Sequence, residues 1–250
     1  NSALAKLRAG KVAVGPIVVY ASPDLAEQIA HMGFDWVWLD WQHGEWTETT
    51  LNSALARFLG ADTAPIVRVK GLDPGAINHV LDMGAMGVIV PMVQNAAQAR
   101  VAAQAVYYPP LGQRSGGGTR LGLLSGKDPG DYLAHANEEM VLVVQVETEE
   151  AVSNCEEIMR VPGVNAVLIG PGDLMIDVKA HGHDESHHEK LVQEVAQAAK
   201  RTGVAAGYFC TSKEEARRRV AEGFRLISYG HAQHLIVSSL QEIRTYSLNW

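Results

Sequence analysis

The stretch WVWLDWQHGEW, residues 36–46, begins like a buried strand and ends in groups that titrate or bind. Trp36, Val37, Trp38 and Leu39 form an apolar run of the kind found in strands covered on both faces. Asp40, Gln42, His43 and Glu45 follow at once. Such a change of character has a natural place in a parallel barrel, where the carboxyl ends of the strands converge on one face and carry the reactive groups.

Working outward, seven further runs share the apolar half of that pattern: VAVGPIVVY, APIVRV, GVIVPM, VLVVQVE, AVLIGP, VAAGYF and LISYG. Each is rich in Val, Ile, Leu or aromatic residues and is bounded by Gly, Pro, Asp or Asn, as buried strands should be. Helical stretches lie between them. SPDLAEQIAHMG opens on Ser22-Pro23, and TSKEEARRRVAEG runs from Ser212 to Gly223, which are helix-start and helix-stop signals. Eight strand-then-helix units predict that residues 1–250 form one (β/α)8 TIM-barrel domain. A doubly wound sheet is the alternative, but no G-x-G-x-x-G follows the first strand.

Composition narrows the class. The 250 residues are 47% hydrophobic and 20% charged, with a formal net charge of −7. That balance suits a globular protein and argues against nucleic acid as a partner. The cationic run Arg217-Arg218-Arg219 reads as a solvated helix face. Cys155 and Cys210 cannot make a disulfide framework, which points to a reducing cytoplasm. No run is apolar enough to cross a membrane, and NSALAKLRAG has no signal core. Two stretches break the rhythm. Residues 107–130 are too rich in Gly and Pro for a helix, and so long a loop is expected to serve a site or an interface. The second is AHGHDESHH, residues 180–188, for which a surface loop is preferred to a metal-ligand role.

The logic of strand ends also selects Arg68, Gln145, Glu147 and Asp173. Two carboxylates meeting at one barrel mouth repel unless a cation or a proton lies between them. Oxygen ligands without Cys or His suit Mg2+ or Mn2+. The bland alternatives are a helix cap or an arginine partner, strongest for Asp173 in GPGDL. Arg68 suits an anionic or carbonyl oxygen, and its own alternative is a salt bridge to Glu147 or Asp173. His43 can exchange protons near neutral pH. The amides of Gly172 and Asp173, after Pro171, are free to meet a carboxylate. Lys70, two residues beyond Arg68, is a rival nucleophile that could form a Schiff base with a carbonyl group. A non-catalytic barrel that binds small carboxylates is the rival outside enzymology.

FDWVWLDWQHGEW, GVIVPMVQNAAQAR, YYPPLGQRSGGG, VQVETEEAV and AVLIGPGDL together resemble the HpcH/HpaI group of metal-dependent hydroxy ketoacid aldolases. The resemblance spans the first strand to the last helix. It implies a class II aldolase that reversibly cleaves 4-hydroxy-2-oxo acids to pyruvate or hydroxypyruvate plus an aldehyde. By the same resemblance Glu147 and Asp173 hold a divalent metal (Mg2+ or Mn2+, with Co2+ an alternative), Arg68 and Gln145 bind the donor, and His43 paired with Asp82 moves the proton. A homo-hexamer built as a trimer of dimers is implied, with the C-terminal helix LIVSSLQEIRTYSLNW exchanged between barrels.

The chain departs from the family pattern in places. DGEH reads DWQH, with Trp41 in a glycine position and Gln42 for an acid; GPADLS reads GPGDLM; GERGVG reads GQRSGGG; and the acid expected after the last strand is missing from SYGHAQH. The metal and donor groups are unchanged. Trp41 and Phe209, which matches an aliphatic pocket position, therefore become the candidate contacts for the aldehyde side. Asp82 presents a geometric difficulty. DPGAINHVLDMG reads as a helix running away from the mouth, so Asp82 should reach only the His43 of a neighbouring subunit.

Overall fold

The computed structural model describes residues 1–117 and 128–248. Eight parallel strands close into a barrel in sequence order: β1 (Ala13–Val18), β2 (Trp36–Asp40), β3 (Ala64–Arg68), β4 (Gly87–Val90), β5 (Val141–Val146), β6 (Val164–Ile169), β7 (Ala205–Cys210) and β8 (Leu226–His231). The chain is a (β/α)8 barrel, with each expected strand present. The register sets Trp38 beside Ile66 and Asp40 beside Arg68.

Alternation along each strand divides the core in two. Trp36, Trp38, Ile66, Ile89, Val143, Leu168 and Leu226 fill the barrel interior. Val37, Leu39, Val67, Val88, Val144 and Val167 face the helices. The two interior indoles stack at 6.4 Å between ring centroids. Gly15 makes room for them, because a Cβ there would lie 2.2 Å from the Trp36 carbonyl oxygen. The helix Ser2–Arg8 closes the amino-terminal end, burying Ala3 and Leu4. The Asn1 side-chain amide donates to the Met86 carbonyl, and the Ser2 hydroxyl to the Asp35 and Asp62 carbonyls. The far end of the barrel is thereby left as its mouth.

The helix signals lie where the sequence places them. Ser22 caps Pro23–Ala30, and Ser212 caps Lys213–Glu222, which ends at Gly223 with φ 113°. The helix Pro74–Asp82 begins under an Asp73 cap. Residues 107–117 are irregular, a helix occupies Pro129–Glu139, and the remainder of the expected loop, with the end of the GQRSGGG motif, lies outside the described residues.

One expectation is corrected. Arg217 and Arg218 are exposed, but Arg219 is 1% exposed. Its guanidinium ion-pairs with Glu189 at 2.6 Å and Glu222 at 2.9 Å and lies 4.4 Å above the Tyr208 ring. A long cation whose charge is matched on three sides is stable inside, so composition alone misplaces it.

Cys155 and Cys210 are buried and unpaired. Among the described residues no helix is long and apolar enough to cross a membrane. The C-terminal helix Ala232–Ser247 buries Ala232 but leaves Leu235, Leu240, Ile243 and Tyr246 each more than half exposed.

Candidate active site

At the carboxyl ends of the strands lies a cavity of about 340 Å³, lined by residues of β1, β2, β3, β5, β7 and β8 and by the turn after β6. Its floor is built by the same alternation that fills the interior. Trp36, Trp38 and Asp40 share the inward face of β2, and Ile66 and Arg68 that of β3. The Arg68 guanidinium lies 4.7 Å over the Trp38 ring. It donates to both Asp40 carboxylate oxygens, Nε at 2.8 Å and Nη2 at 2.6 Å, and Nη1 reaches Gln145 Oε1 at 3.4 Å. Its salt-bridge partner is therefore Asp40, not Glu147 or Asp173. With Asp40 at 1% and Arg68 at 7% exposure, this is a buried two-point pair. Removing one partner of such a pair costs about 3–5 kcal/mol.

Asp40 also organises the polar half of WVWLDWQHGEW. Its Oδ1 accepts the amide protons of Gln42 and His43. The chain then returns across β1 through Glu45 N–H to the Val19 carbonyl and the Trp46 indole to the Val18 carbonyl. His43 is exposed and lines the cavity.

Glu147 follows β5 and is 2% exposed. Oε2 accepts the Met92 amide proton at 3.0 Å, while Oε1 is buried with no hydrogen-bond partner among the described residues. Burial, reinforced by the neighbouring Asp173 charge and opposed by the Met92 amide and Arg68, pushes its carboxyl up to about 7. Met92 donates this bond from φ 54°, a left-handed backbone that a non-glycine residue adopts at a cost of about 1–2 kcal/mol. Strain of this kind concentrates at functional positions.

Asp173 sits in the first turn of the helix Pro171–Ala180, whose Gly170 N-cap supplies no side-chain bond. The amides of Gly172 and Asp173 belong to the open end of that helix. Gly170 is required by close approach: a Cβ there would lie 2.1 Å from Glu147 Oε1. Glu147, Gly172, Asp173, Gln145, Arg68 and His43 thus all line one cavity. Gln145 Nε2 is buried and without a partner among the described residues.

Three sequence candidates are placed elsewhere or differently. Trp41 points outward into the sheet–helix core at 6% exposure and is absent from the cavity lining; Trp38 is the indole that lines it. Asp82 ends its helix away from the cavity and accepts a hydrogen bond from Arg114 Nη2 at 2.9 Å. Among the described contacts it does not meet His43. Lys70 is exposed, with Nζ 4.7 Å over the Trp41 ring. Strand β3 ends at Arg68, so the alternation expected to turn Lys70 inward is lost, and it does not line the cavity. Phe209 does line it, edge-on to Trp38 at 6.4 Å.

The sequence placed Asp40 in the polar cluster after β2 but gave it no partner, although it shares the inward parity of Trp36 and Trp38. Other contributors were missed. Met92 and Gly170 act through backbone geometry and carry no chemical signature. His231, at the end of β8, lines the cavity with Nδ1 buried and unpartnered among the described residues. Burial lowers its imidazole from the usual range, against the pull of Asp40.

A family model described as HpcH/HpaI aldolase/citrate lyase matches residues 17–239. The chain belongs to the HpcH/HpaI family. A 4-hydroxy-2-oxo-heptane-1,7-dioate aldolase of Klebsiella pneumoniae is 34% identical over 226 residues, covering 90% of this chain and 85% of the relative. An HpcH/HpaI family protein of Burkholderia cenocepacia superimposes with a TM-score of 0.86 at 28% identity, over 98% of this chain and 99% of its own. The HpcH/HpaI aldolase of Desulfitobacterium hafniense gives 0.83 at 28% identity, over 98% and 94%. Membership in the family makes this protein a metal-dependent carbon–carbon lyase of the aldolase type, and the Schiff-base reading loses its nucleophile.

Proposed function

We propose that the protein reversibly cleaves 4-hydroxy-2-oxo acids to pyruvate or hydroxypyruvate and an aldehyde, with Glu147 and Asp173 holding Mg2+ or Mn2+. The observation that carries this reading is the buried, unpartnered Glu147 Oε1 beside Asp173. An oxygen left dry and without a donor is poised for a cation, and an all-oxygen pair suits a hard ion. Co2+ is the alternative occupant. When bound, the ion supplies a Lewis acid for the negative charge that gathers on the keto acid as the C3–C4 bond breaks.

The remaining roles fall to the chain's own groups. The Gly172 and Asp173 amides receive the donor carboxylate at the open helix end. Gln145 Nε2 donates to the donor's oxygens. Arg68, held flat by Trp38 and Asp40, places fixed positive charge beside the developing oxyanion, where preorganised charge is worth several kcal/mol. In cleavage His43 accepts the C4 hydroxyl proton, the C4 oxygen becomes the aldehyde carbonyl, and the bonding electron pair stays on C3 of the donor. In synthesis His43 returns that proton. Phe209 borders the aldehyde side.

The exposed apolar face of the helix Ala232–Ser247 supports assembly with other copies, for which a hexamer is proposed. Asp82, oriented by the buried Arg114, would then serve the neighbouring subunit's His43. Free buried cysteines are compatible with the cytoplasm as its location.

The test is pyruvate release from a 4-hydroxy-2-oxo acid by the metal-loaded protein. Release should cease with EDTA and return with Mg2+ or Mn2+. Undiminished release by the metal-stripped protein, or none from any such acid, would overturn the proposal.

A further inference from the structure

The histidine-rich stretch 180–188 is exposed from residue 180 to residue 186, as a surface loop should be, but its turn is ordered. It folds back on Glu149, two residues beyond Glu147. Gly182, at φ 80°, turns the chain after the helix Pro171–Ala180, and the His183 amide closes the turn on the Val178 carbonyl. Asp184 caps the next helix, Glu185–Thr202, and places His187 in its first turn. His183 Nδ1 then lies 2.8 Å and His187 Nε2 3.5 Å from the same oxygen, Glu149 Oε1. The two imidazole centroids are 4.1 Å apart. One ligand atom from each of Glu149, His183 and His187 lies within 4.8 Å of the others. His187 Nε2 is enclosed and has no hydrogen-bond partner among the described residues.

We propose that Glu149, His183 and His187 form a second metal site, separate from the Glu147–Asp173 pair, for a borderline transition ion such as Zn2+. Two imidazoles and a carboxylate are the donors such ions select, whereas Mg2+ and Ca2+ prefer oxygen alone. Tetrahedral bonds of about 2.0–2.2 Å set neighbouring ligand atoms roughly 3.4 Å apart. The Glu149–His187 spacing already has that value, and the hydrogen-bonded His183 need only draw back slightly. Three protein ligands leave the fourth tetrahedral position to water, while Asp177 and His181 form a separate group with Glu149. Asp177 Oδ2 accepts the Glu149 amide proton at 2.8 Å, and His181 Nδ1 lies 3.6 Å from it. His183 is 44% exposed, so an ion has a path inward. Once filled, the site ties the segment after β5 to the turn that follows the helix Pro171–Ala180 and to the first turn of the helix Glu185–Thr202.

The proposal is tested by Zn2+ titration calorimetry on the metal-stripped chain carrying Glu147→Gln and Asp173→Asn, which removes the Glu147–Asp173 pair. One Zn2+ per chain should bind, and excess Mg2+ should not compete. Adding His183→Ala and His187→Ala should weaken binding at least about 100-fold, since even partners of ligands are worth about 10–100-fold. X-ray absorption on the Zn2+-loaded background variant, which needs no histidine substitution, should show two imidazole nitrogens. No Zn2+ binding, unchanged affinity without the histidines, or an all-oxygen shell would each overturn it. None of these readouts depends on aldolase activity.

Discussion

Replacing Glu147 with glutamine is expected to make the metal-free protein more stable above neutral pH. In the folded chain the carboxyl is pushed from its usual 4.5 to about 7, chiefly by burial. The native state therefore binds more protons than the unfolded chain between those values, and stability falls as pH rises through that window. Above about 7 the penalty is complete. At about 1.4 kcal/mol per tenfold change in proton affinity it comes to about 3.5 kcal/mol. The substituted amide would carry no charge to desolvate, and its oxygen could still accept the Met92 amide proton. For a chain of this length such a gain raises the melting temperature by about 7–14 °C. Thermal unfolding followed by circular dichroism in EDTA, at about pH 5 and about pH 8, measures it. The variant should exceed the parent clearly at the higher pH and little at the lower. Saturating Mg2+ or Mn2+ should then reverse the order, because an ion at about 1,000 times its Kd adds about 4.1 kcal/mol to the parent alone. A variant that is no more stable at the higher pH, or an advantage independent of pH, would refute the reading of Glu147 as a buried carboxylate awaiting a cation.

Gly170→Ala should lower Mg2+ or Mn2+ affinity at least about tenfold with melting temperature little changed, since its φ of −91° suits alanine while the new Cβ displaces Glu147 Oε1; isothermal titration would record unaltered affinity if the close approach is unimportant. Asp40→Asn should destabilise the protein by about 3–5 kcal/mol in urea unfolding, because it leaves the Arg68 charge buried without its counter-ion; a change under about 1 kcal/mol would mean that Gln145 and Trp38 suffice. His43→Ala should slow aldol cleavage by about 100-fold or more while sparing oxaloacetate decarboxylation, which needs the electron sink but no base at C4; equal losses would show that His43 supports the metal or the fold. Mixed chains carrying His43→Ala or Asp82→Ala should together recover activity that neither has alone, and inactive but fully exchanged mixtures would leave Asp82 as a partner of Arg114 only.

Much of this molecule was legible along the chain because its signals are local. An apolar run, a capping serine or a closing glycine states its role within a few residues, and inward parity along a strand points Arg68, Gln145 and Glu147 toward the mouth. What the sequence could not state are relations between segments. Asp40 meets Arg68 because closure of the barrel sets β2 and β3 in that register, 28 residues apart. Arg219 goes inside because Glu189 waits for it 30 residues away. Lys70 turns out over Trp41 because its strand stops two residues earlier. The histidines of 181–187 gather on a glutamate that a glycine turn brings within reach. Periodicity is a property of one segment and survives in the sequence. The partner of a charge, and the direction of a side chain after its strand has ended, are decided only when distant segments pack and exclude water between them.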